Sequence, residues 1–480
     1  MQKKAEILVG RKNEIARLNA IMNSSEAEFV VLYGRRRVGK TFLINSFFNN
    51  NYAFKLTGLA KKSKSEQLAN FAVALNRYGN GEKFAKPRTW FDAFEKLRTL
   101  LEKDKSKGKR VVFIDELPWL DTPKSNLVSA IEHFWNDWAV TQNNLVLIVC
   151  GSATSWITRK ILKNRGGLHN RVTQRIFIRP FTLAECKDYF QSRGIELEDK
   201  DIAECYMIIG GIPFYLKQFR RGASLAQNID EMFFVEHCSL EGEFDALYAS
   251  LFDNSANYIK IVEALSTKNK GLTREEIIKA TSLENNGHLT EILQNLIDCD
   301  FIRCYKCFGN KTKLCLYQLT DPFTLFYYKY VKKISAEDKA FWQFQQGTHQ
   351  HSVWAGLAFE QLCLNHHQQI ERALGISGVM TSQYSWTAPQ ESDEKVQIDL
   401  IISRADKVID ICEMKFYDDV FSTTKTDYVN LLRRLRVFRE CNKINNAVHL
   451  VLVTTYGLKS NTYSNVFQNV VTLNDLFADI

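Results

Sequence analysis

The segment Gly34-Arg35-Arg36-Arg37-Val38-Gly39-Lys40-Thr41 constrains this chain more than any other stretch. It fits the spacing G-x-x-x-x-G-K-[ST]. The apolar run at residues 28–33 reads as a strand leading in, and residues 42–47 read as a helix leading out. Glycines at both ends let the backbone curl until several N–H groups converge on one phosphate, with a helix N-terminus behind them. On this reading the nine residues from Gly34 to Phe42 bind a nucleotide, here ATP. Lys40 reaches the β- and γ-phosphates, and the Thr41 hydroxyl holds Mg²⁺. The bland alternative is a glycine-rich strand–helix turn that binds nothing.

A phosphate loop of this kind needs an acidic strand nearby, and residues 110–116 supply one. The run Val111-Val112-Phe113-Ile114 ends in Asp115-Glu116. Short all-apolar runs suit strands buried on both faces of a parallel sheet, whose C-terminal edge is where ligands bind. Asp115 is expected to hold Mg²⁺ through water, and Glu116 to polarise the attacking water as a general base. A third strand at residues 145–150 leads to Gly151-Ser152, where Ser152 is placed to sense the γ-phosphate. Its competing reading is a helix N-cap. After the loop Arg165-Gly166-Gly167-Leu168-His169-Asn170 come Arg171 and Arg175. Arg171 is the first candidate for a finger that stabilises transition-state charge, and Arg175 the second. Solvated surface arginines are the alternative.

In this order, Gly10-Arg11-Lys12-Asn13-Glu14, the arginine-rich loop, Ile114-Asp115-Glu116, Gly151-Ser152 and Gly211-Ile212-Pro213 resemble the AAA+-related ATPases best known from archaea. The likeness extends to the signal-transduction ATPases with numerous domains and covers roughly residues 5–235. It implies that Gly10 and Arg11 lie near the adenine and that Pro213 touches the nucleotide from a helical lid. Residues 210–213 also read as a plain helix-breaking turn. One departure is Ser152, since asparagine is frequent at such sensor positions.

At 480 residues the chain has room for about three domains, and 45% apolar residues suffice for packed cores. No apolar run approaches the length of a membrane span, and no apolar segment follows Met1-Gln2-Lys3-Lys4-Ala5-Glu6, so neither a membrane location nor a secretory signal is expected. Eleven scattered cysteines read as reduced thiols of a cytoplasmic protein. Cys304-x-x-Cys307 has ligand spacing, but Cys299 and Cys315 do not make a second pair, which argues against zinc. A net charge of +9 permits an anionic partner such as DNA without requiring one.

The middle of the chain reads as a winged helix. Helices are expected at 257–265, from a capping box at Thr273-Arg274-Glu275-Glu276, and at 288–297. Two strand-like runs, 301–307 and 313–319, flank a Gly309-Asn310 turn, and Asp321-Pro322 caps a further helix. Such a domain can place its third helix in a DNA major groove, with Lys306, Lys311 and Lys313 of the wing on phosphates. The third helix is poor in Arg and Lys, which favours a packing or protein-docking module instead.

The C-terminal region carries a second constellation. Strand-like runs at 395–403 and 407–416 are joined by Arg404-Ala405-Asp406. Asp399 interrupts the first and Glu413-Met414-Lys415 the second. Charges within apolar strands are costly unless paired or metal-bound. Asp399 and Glu413 suit Mg²⁺ or Mn²⁺, Glu360 on an upstream helix adds a third carboxylate, and Lys415 orients water or offsets phosphate charge. The order resembles the PD-(D/E)xK nuclease fold over residues 350–475, with Ile398 where the motif has proline. In the archaeal-type ATPases, that resemblance implies, such a domain follows a winged helix. A salt-bridged cluster in a recognition domain is the alternative, and Glu198-Asp199-Lys200 shows how easily the short motif arises. A helix at 427–440 sets Arg433, Arg434, Arg436 and Arg439 on one side, either along a nucleic-acid backbone or simply in solvent.

The expected fold is therefore α/β: a P-loop parallel sheet (1–180) with a helical lid (181–250), a winged helix (251–335), a linker near 334–352, and an α/β restriction-endonuclease-like domain (350–480). The expected function is an ATP-hydrolysing switch or motor coupled to a nuclease-like, DNA-interacting domain. The alternative is a non-cleaving, ATP-dependent regulator or assembly module with a protein partner, and a finger arginine at a subunit boundary implies a homo-oligomer.

Overall fold

The computed structural model describes residues 8–105, 108–163, 166–252, 254–306, 308–309, 315–334, 340–389 and 394–479. The chain divides into two compact units, residues 1–180 and 181–480.

The first unit is built on a parallel five-stranded sheet. Its strands are β1 (Glu28–Tyr33), β2 (Phe54–Thr57), β3 (Arg110–Asp115), β4 (Leu145–Gly151) and β5 (Gln174–Phe177), in the order β2-β3-β4-β1-β5. β3 and β4 are buried at every position, as continuous apolar runs between two helical layers must be. Phe29, Val31, Val112, Ile114, Leu147 and Val149 form one side of the core with Trp90, Phe94 and Trp135 from the helices. Ser63 and Thr89 cap the two helices that cover this side, Ser63 through a capping box with Glu66. Because β1 lies between β4 and β5, the ends of β1, β3 and β4 open onto one edge of the sheet.

The second unit begins with the helices Leu183–Ser192, Asp199–Ile209, Leu225–Phe233 and Glu243–Leu251. Helices Ser255–Ser266, Arg274–Thr281 and Gly287–Asp298 follow, then an antiparallel hairpin of β6 (Ile302–Lys306) and β7 (Cys315–Leu319). The expected capping box at Thr273 is formed: Thr273 Oγ1 accepts from Glu276 N–H at 3.2 Å, and Glu276 Oε2 accepts from Thr273 N–H at 2.8 Å. Lys311 and Lys313 of the expected wing lie outside the described residues, as do Cys307 and Arg165. The tip residue Phe308 is turned inward. Its N–H donates to Ser385 O at 3.0 Å, and its ring lies 5.4 Å from Tyr384 and 5.2 Å from Phe438.

Of the linker expected near 334–352, residues 335–339 lie outside the described residues, and most of the remainder is helical and packed. Residues Phe341–Gln345 and His349–Asn365 are helical, and the Trp342 side chain is fully buried against Phe326, Tyr330 and Trp354. The Asp230 carboxylate accepts from the N–H of Trp342 and of Gln343 and satisfies the free end of the short helix. An aromatic run too polar on its flanks to read as a helix becomes core once these partners surround it.

A mixed five-stranded sheet closes the unit, with β8 (Thr381–Thr387), β9 (Gln397–Arg404), β10 (Val408–Lys415), β11 (Ala447–Thr454) and β12 (Asn469–Thr472) in the order β12-β11-β10-β9-β8. β8, β9 and β10 pair antiparallel, and β10, β11 and β12 pair parallel. The helix Lys425–Asn442 makes the β10–β11 crossover and buries Leu431, Val437 and Phe438. Among the described residues no helix is long and apolar enough to cross a membrane, and all ten described cysteines are free thiols.

Candidate functional site

The phosphate loop sits between the end of β1 and the helix Lys40–Phe47. Gly34 (φ 144°) crosses so close to the 178 backbone that a Cβ there would lie 2.3 Å from Ile178 O. No other residue fits this crossing without displacing main chain. Arg37 and Gly39 also take positive φ, which turns the loop around a hollow and leaves Gly39 as the helix N-cap. Lys40 is buried, and its ammonium donates to the carbonyls of Gly34 and Arg35 at 2.9 and 2.8 Å. Arg35 and Val38 are buried too, while Arg36 and Phe42 are more open.

Thr41 Oγ1 donates to Asp115 Oδ2 at 2.8 Å, which joins the loop to the end of β3. Glu116 follows with φ 49°, a left-handed conformation that swings its side chain toward the end of β4. There its carboxylate accepts from the Ser152 hydroxyl at 2.9 Å and from the Ser152 N–H at 3.3 Å. Loop, acidic pair and candidate sensor, 118 positions apart from first to last, are thus brought to one sheet edge. Burial pushes the Cys150 thiol far up, with Asp115 adding to the effect, so it stays neutral beneath the acidic pair.

Arg11 takes a role that its sequence context did not announce. It is buried, and its guanidinium donates to Val38 O at 2.9 Å and Arg179 O at 2.7 Å. It braces the phosphate loop from outside, and Gly10 supplies the left-handed turn before it. The preceding glycine was the one local signal in the sequence. Arg171 and Arg175 are exposed, and among the described residues neither side chain contacts the phosphate loop. Pro213 belongs to the second unit, where it opens the short helix Pro213–Leu216. The preceding Gly211 is required by packing, since a Cβ there would lie 2.0 Å from Phe181 O.

The C-terminal constellation is assembled differently. Glu360, Asp399, Glu413 and Lys415 come from one helix and two antiparallel strands. Burial pushes the Glu360 carboxyl up to about 8, with Asp399 and Glu413 adding to it. Burial likewise raises Asp399, partly offset by Gln397, whose amide donates to its carboxylate at 2.6 Å. Burial opposes the Lys415 charge, but the Glu413 carboxylate 2.9 Å away outweighs this and raises its pKa. Glu413 is also ion-paired with Arg434 from the helix Lys425–Asn442.

Two expectations change here. Among the described residues no three His, Cys, Asp or Glu side chains are set to hold a metal ion. Glu360, Asp399 and Glu413 share a field without forming a ligand set, because Glu413 faces two cations. Nor is the arginine-rich helix a free basic track: Arg434 is spent on Glu413, and Arg436 on Glu394 and Glu440. Four arginines at helical spacing could not show that carboxylates elsewhere in the chain would meet them.

Residues 8–219 match a family described as an ATPase domain predominantly from Archaea. An uncharacterized protein of Methanocaldococcus jannaschii is 27% identical over 360 residues, which is 74% of this chain and 76% of that protein. An uncharacterized ATP-binding protein of the same organism is 48% identical over 44 residues, 9% of this chain and 75% of its own length. Among solved structures, a Walker-type ATPase of Pyrococcus abyssi shares 17% identity with a TM-score of 0.47, covering 67% of this chain and 96% of that one. The structural likeness is partial. The domain match and the loop geometry agree on an ATPase domain over residues 8–219.

Proposed function

We propose that this protein is a Mg²⁺-dependent ATP hydrolase that acts as a switch for a nuclease-like, nucleic-acid-interacting C-terminal domain. The observation that carries the reading is the Thr41–Asp115 hydrogen bond, with Glu116 held beside it by Ser152. These residues fit a magnesium nucleotide. A hydroxyl and a carboxylate 2.8 Å apart are the hard-oxygen groups that Mg²⁺ and its water take, and the Lys40 ammonium waits on carbonyls that phosphate oxygens can replace. When bound, Mg²⁺ would neutralise charge on the β- and γ-phosphates, held by Thr41 and, through water, by Asp115.

Lys40 then exchanges two neutral acceptors for anionic ones. The loop N–H groups and the helix N-terminus behind them bind the phosphates before reaction and stabilise the charge that develops during it. Glu116 aligns a water for in-line attack on the γ-phosphorus and accepts its proton, while the bond to the β,γ-bridging oxygen breaks and ADP leaves. While Ser152 holds the carboxylate, its lone pairs are partly occupied, so Ser152 couples the state of the γ-phosphate position to the readiness of the base. The exposed Arg171, and after it Arg175, are suited to serve a neighbouring copy, which makes a homo-oligomer the working form. In this reading Gly10 and Arg11, which brace the loop from outside, lie near the adenine.

For the second unit we infer a helical lid at 181–250, a winged helix at 251–335 and a PD-(D/E)xK-like sheet at 350–480. As they stand, Glu360, Asp399 and Glu413 do not fit a metal, and no metal-dependent step is derived there. The Arg434–Glu413 pair favours the second reading, a domain that interacts with its partner without cutting it. One experiment separates the two: ATP turnover with and without DNA, and DNA cleavage with Mg²⁺ or Mn²⁺ in the same tubes, beside an Asp399→Ala control. Turnover stimulated by DNA that stays intact supports the non-cleaving switch. Cleavage lost in the control supports the nuclease, and absent turnover refutes both.

A further inference from the structure

Within the second unit a cavity of about 720 Å³ opens between two chemically different walls. One wall comes from the β6–β7 hairpin and the segment after it and carries Arg303, Lys329 and Lys333. The facing wall, from the helix His349–Asn365 and from β8 and β9, carries Ser385, Gln397 and Asp399. Tyr305, Tyr328 and Trp354 also line the space.

Arg303 is the group that asks for a ligand. It is partly buried, its Nε donates to Gln318 Oε1 at 2.6 Å, and its guanidinium lies 4.9 Å from the centre of the Tyr305 ring. These contacts fix the plane of the fork. Among the described residues no carboxylate lies within ion-pair distance of it. Burial lowers its pKa to about 10, although the Asp399 charge acts on it from further off. A planar fork held in one orientation suits two phosphate oxygens at once, as a lysine ammonium would not.

The size and lining exclude the simpler ligands. The volume is of the order of cavities that hold drug-sized molecules, far more than inorganic phosphate needs. It is too confined for a duplex, whose grooves alone are about 6 to 12 Å wide. The lining also holds the carboxylates of Glu263, Glu360 and Asp399, of which Glu263 is paired with Lys332. The aromatic rings beside the basic wall are the fittings of a single-strand site, in which bases stack and phosphates track the cations.

We propose that this cavity binds single-stranded nucleic acid, with Arg303 clamping a phosphodiester and Lys329 and Lys333 following the backbone. The strand runs through the space that Asp399 also lines. The proposal gives a substrate class to the second unit and rests on reading that unit as nucleic-acid-interacting, but not on cleavage.

The test uses the full chain and a fluorescein-labelled 12-residue oligothymidylate, with fluorescence anisotropy in EDTA and without ATP. Arg303→Ala and the double variant Lys329→Ala/Lys333→Ala should each weaken binding by about tenfold or more, and the double variant should flatten the salt dependence. Gln294→Ala, on the helix Gly287–Asp298, should bind as the parent chain does. If Arg303→Ala melts early, the lysine pair decides, since both side chains are exposed. Unchanged affinity in the lysine pair and in folded Arg303→Ala, loss in Gln294→Ala instead, or no binding by the parent chain would overturn the proposal. A strand that binds but is never cut with Mg²⁺ or Mn²⁺ refutes only the nuclease reading.

Discussion

The two acidic centres of this protein are built to opposite plans. At the phosphate loop, Asp115 and Glu116 meet neutral donors, the Thr41 and Ser152 hydroxyls. Their charge remains available for a metal and a water. At the C-terminal sheet, Glu413 meets Lys415 and Arg434, so its charge is already balanced from within the chain. An acidic residue in a strand is therefore not by itself a reactive one. What matters is whether the fold answers it with a hydroxyl, which leaves the charge in place, or with a cation, which removes it.

The strongest way to break this contrast is at the loop. Lys40→Ala should lower ATP turnover by about 1,000-fold or more in a phosphate-release assay, because it removes a donor aimed at developing charge. Unchanged turnover would remove the loop from the chemistry. Glu116→Gln should bind a fluorescent ATP analogue within a few-fold of the parent chain yet hydrolyse ATP about 100-fold more slowly. Equal loss of binding and turnover would make Glu116 structural.

A third prediction contrasts the units in their response to acid. His366 is buried in the second unit, with Nε2 accepting from Leu183 N–H at 3.2 Å and Nδ1 donating to Leu362 O at 2.9 Å. Burial lowers its pKa from 6.5 to about 4. The fold thus resists a proton that the unfolded chain takes up. Stability is intact above about pH 6.5 and falls as the pH drops through 4, by up to about 3 kcal/mol. Denaturant titrations from pH 7 to 4 should show a steeper loss for the parent chain than for His366→Gln. Parallel curves would refute the assignment.

Two smaller effects sharpen the comparison. Ser152→Ala should change turnover by about tenfold while leaving nucleotide affinity nearly unaltered, since it frees the Glu116 carboxylate without touching the loop. Arg434→Ala should cost only about 0.5–1 kcal/mol of stability, as expected for a partly exposed pair. Its informative readout is Mn²⁺ binding by calorimetry. New binding would show that the arginine alone closes the carboxylate group, and no binding would show that the three carboxylates are not a ligand set even when released.

How much of this was legible in the sequence follows from the distance over which each feature is decided. The strand, loop and helix around Gly34 to Thr41 are set by local turn chemistry, and the apolar runs at 110–115 and 145–151 announce buried strands because a two-sided core demands apolar side chains at every position. The capping box at Thr273 was readable for the same reason, since its partners lie three residues apart. By contrast, the brace from Arg11 to Val38 and Arg179 spans 27 and 168 positions, and no short pattern records it. The packing of Trp342, within the expected linker, was hidden likewise, because the Asp230 carboxylate that receives its N–H lies 112 positions away.

By itself, then, the sequence determined that a nucleotide's phosphates are held by a loop between strand and helix, since glycine spacing and a following lysine are local requirements of backbone geometry. It also placed carboxylates in two C-terminal strands. Only the tertiary structure decided what those charges are worth. Partners for a buried charge are chosen by packing across the whole fold, and the same residue type meets a neutral hydroxyl at Ser152 and a cation at Arg434.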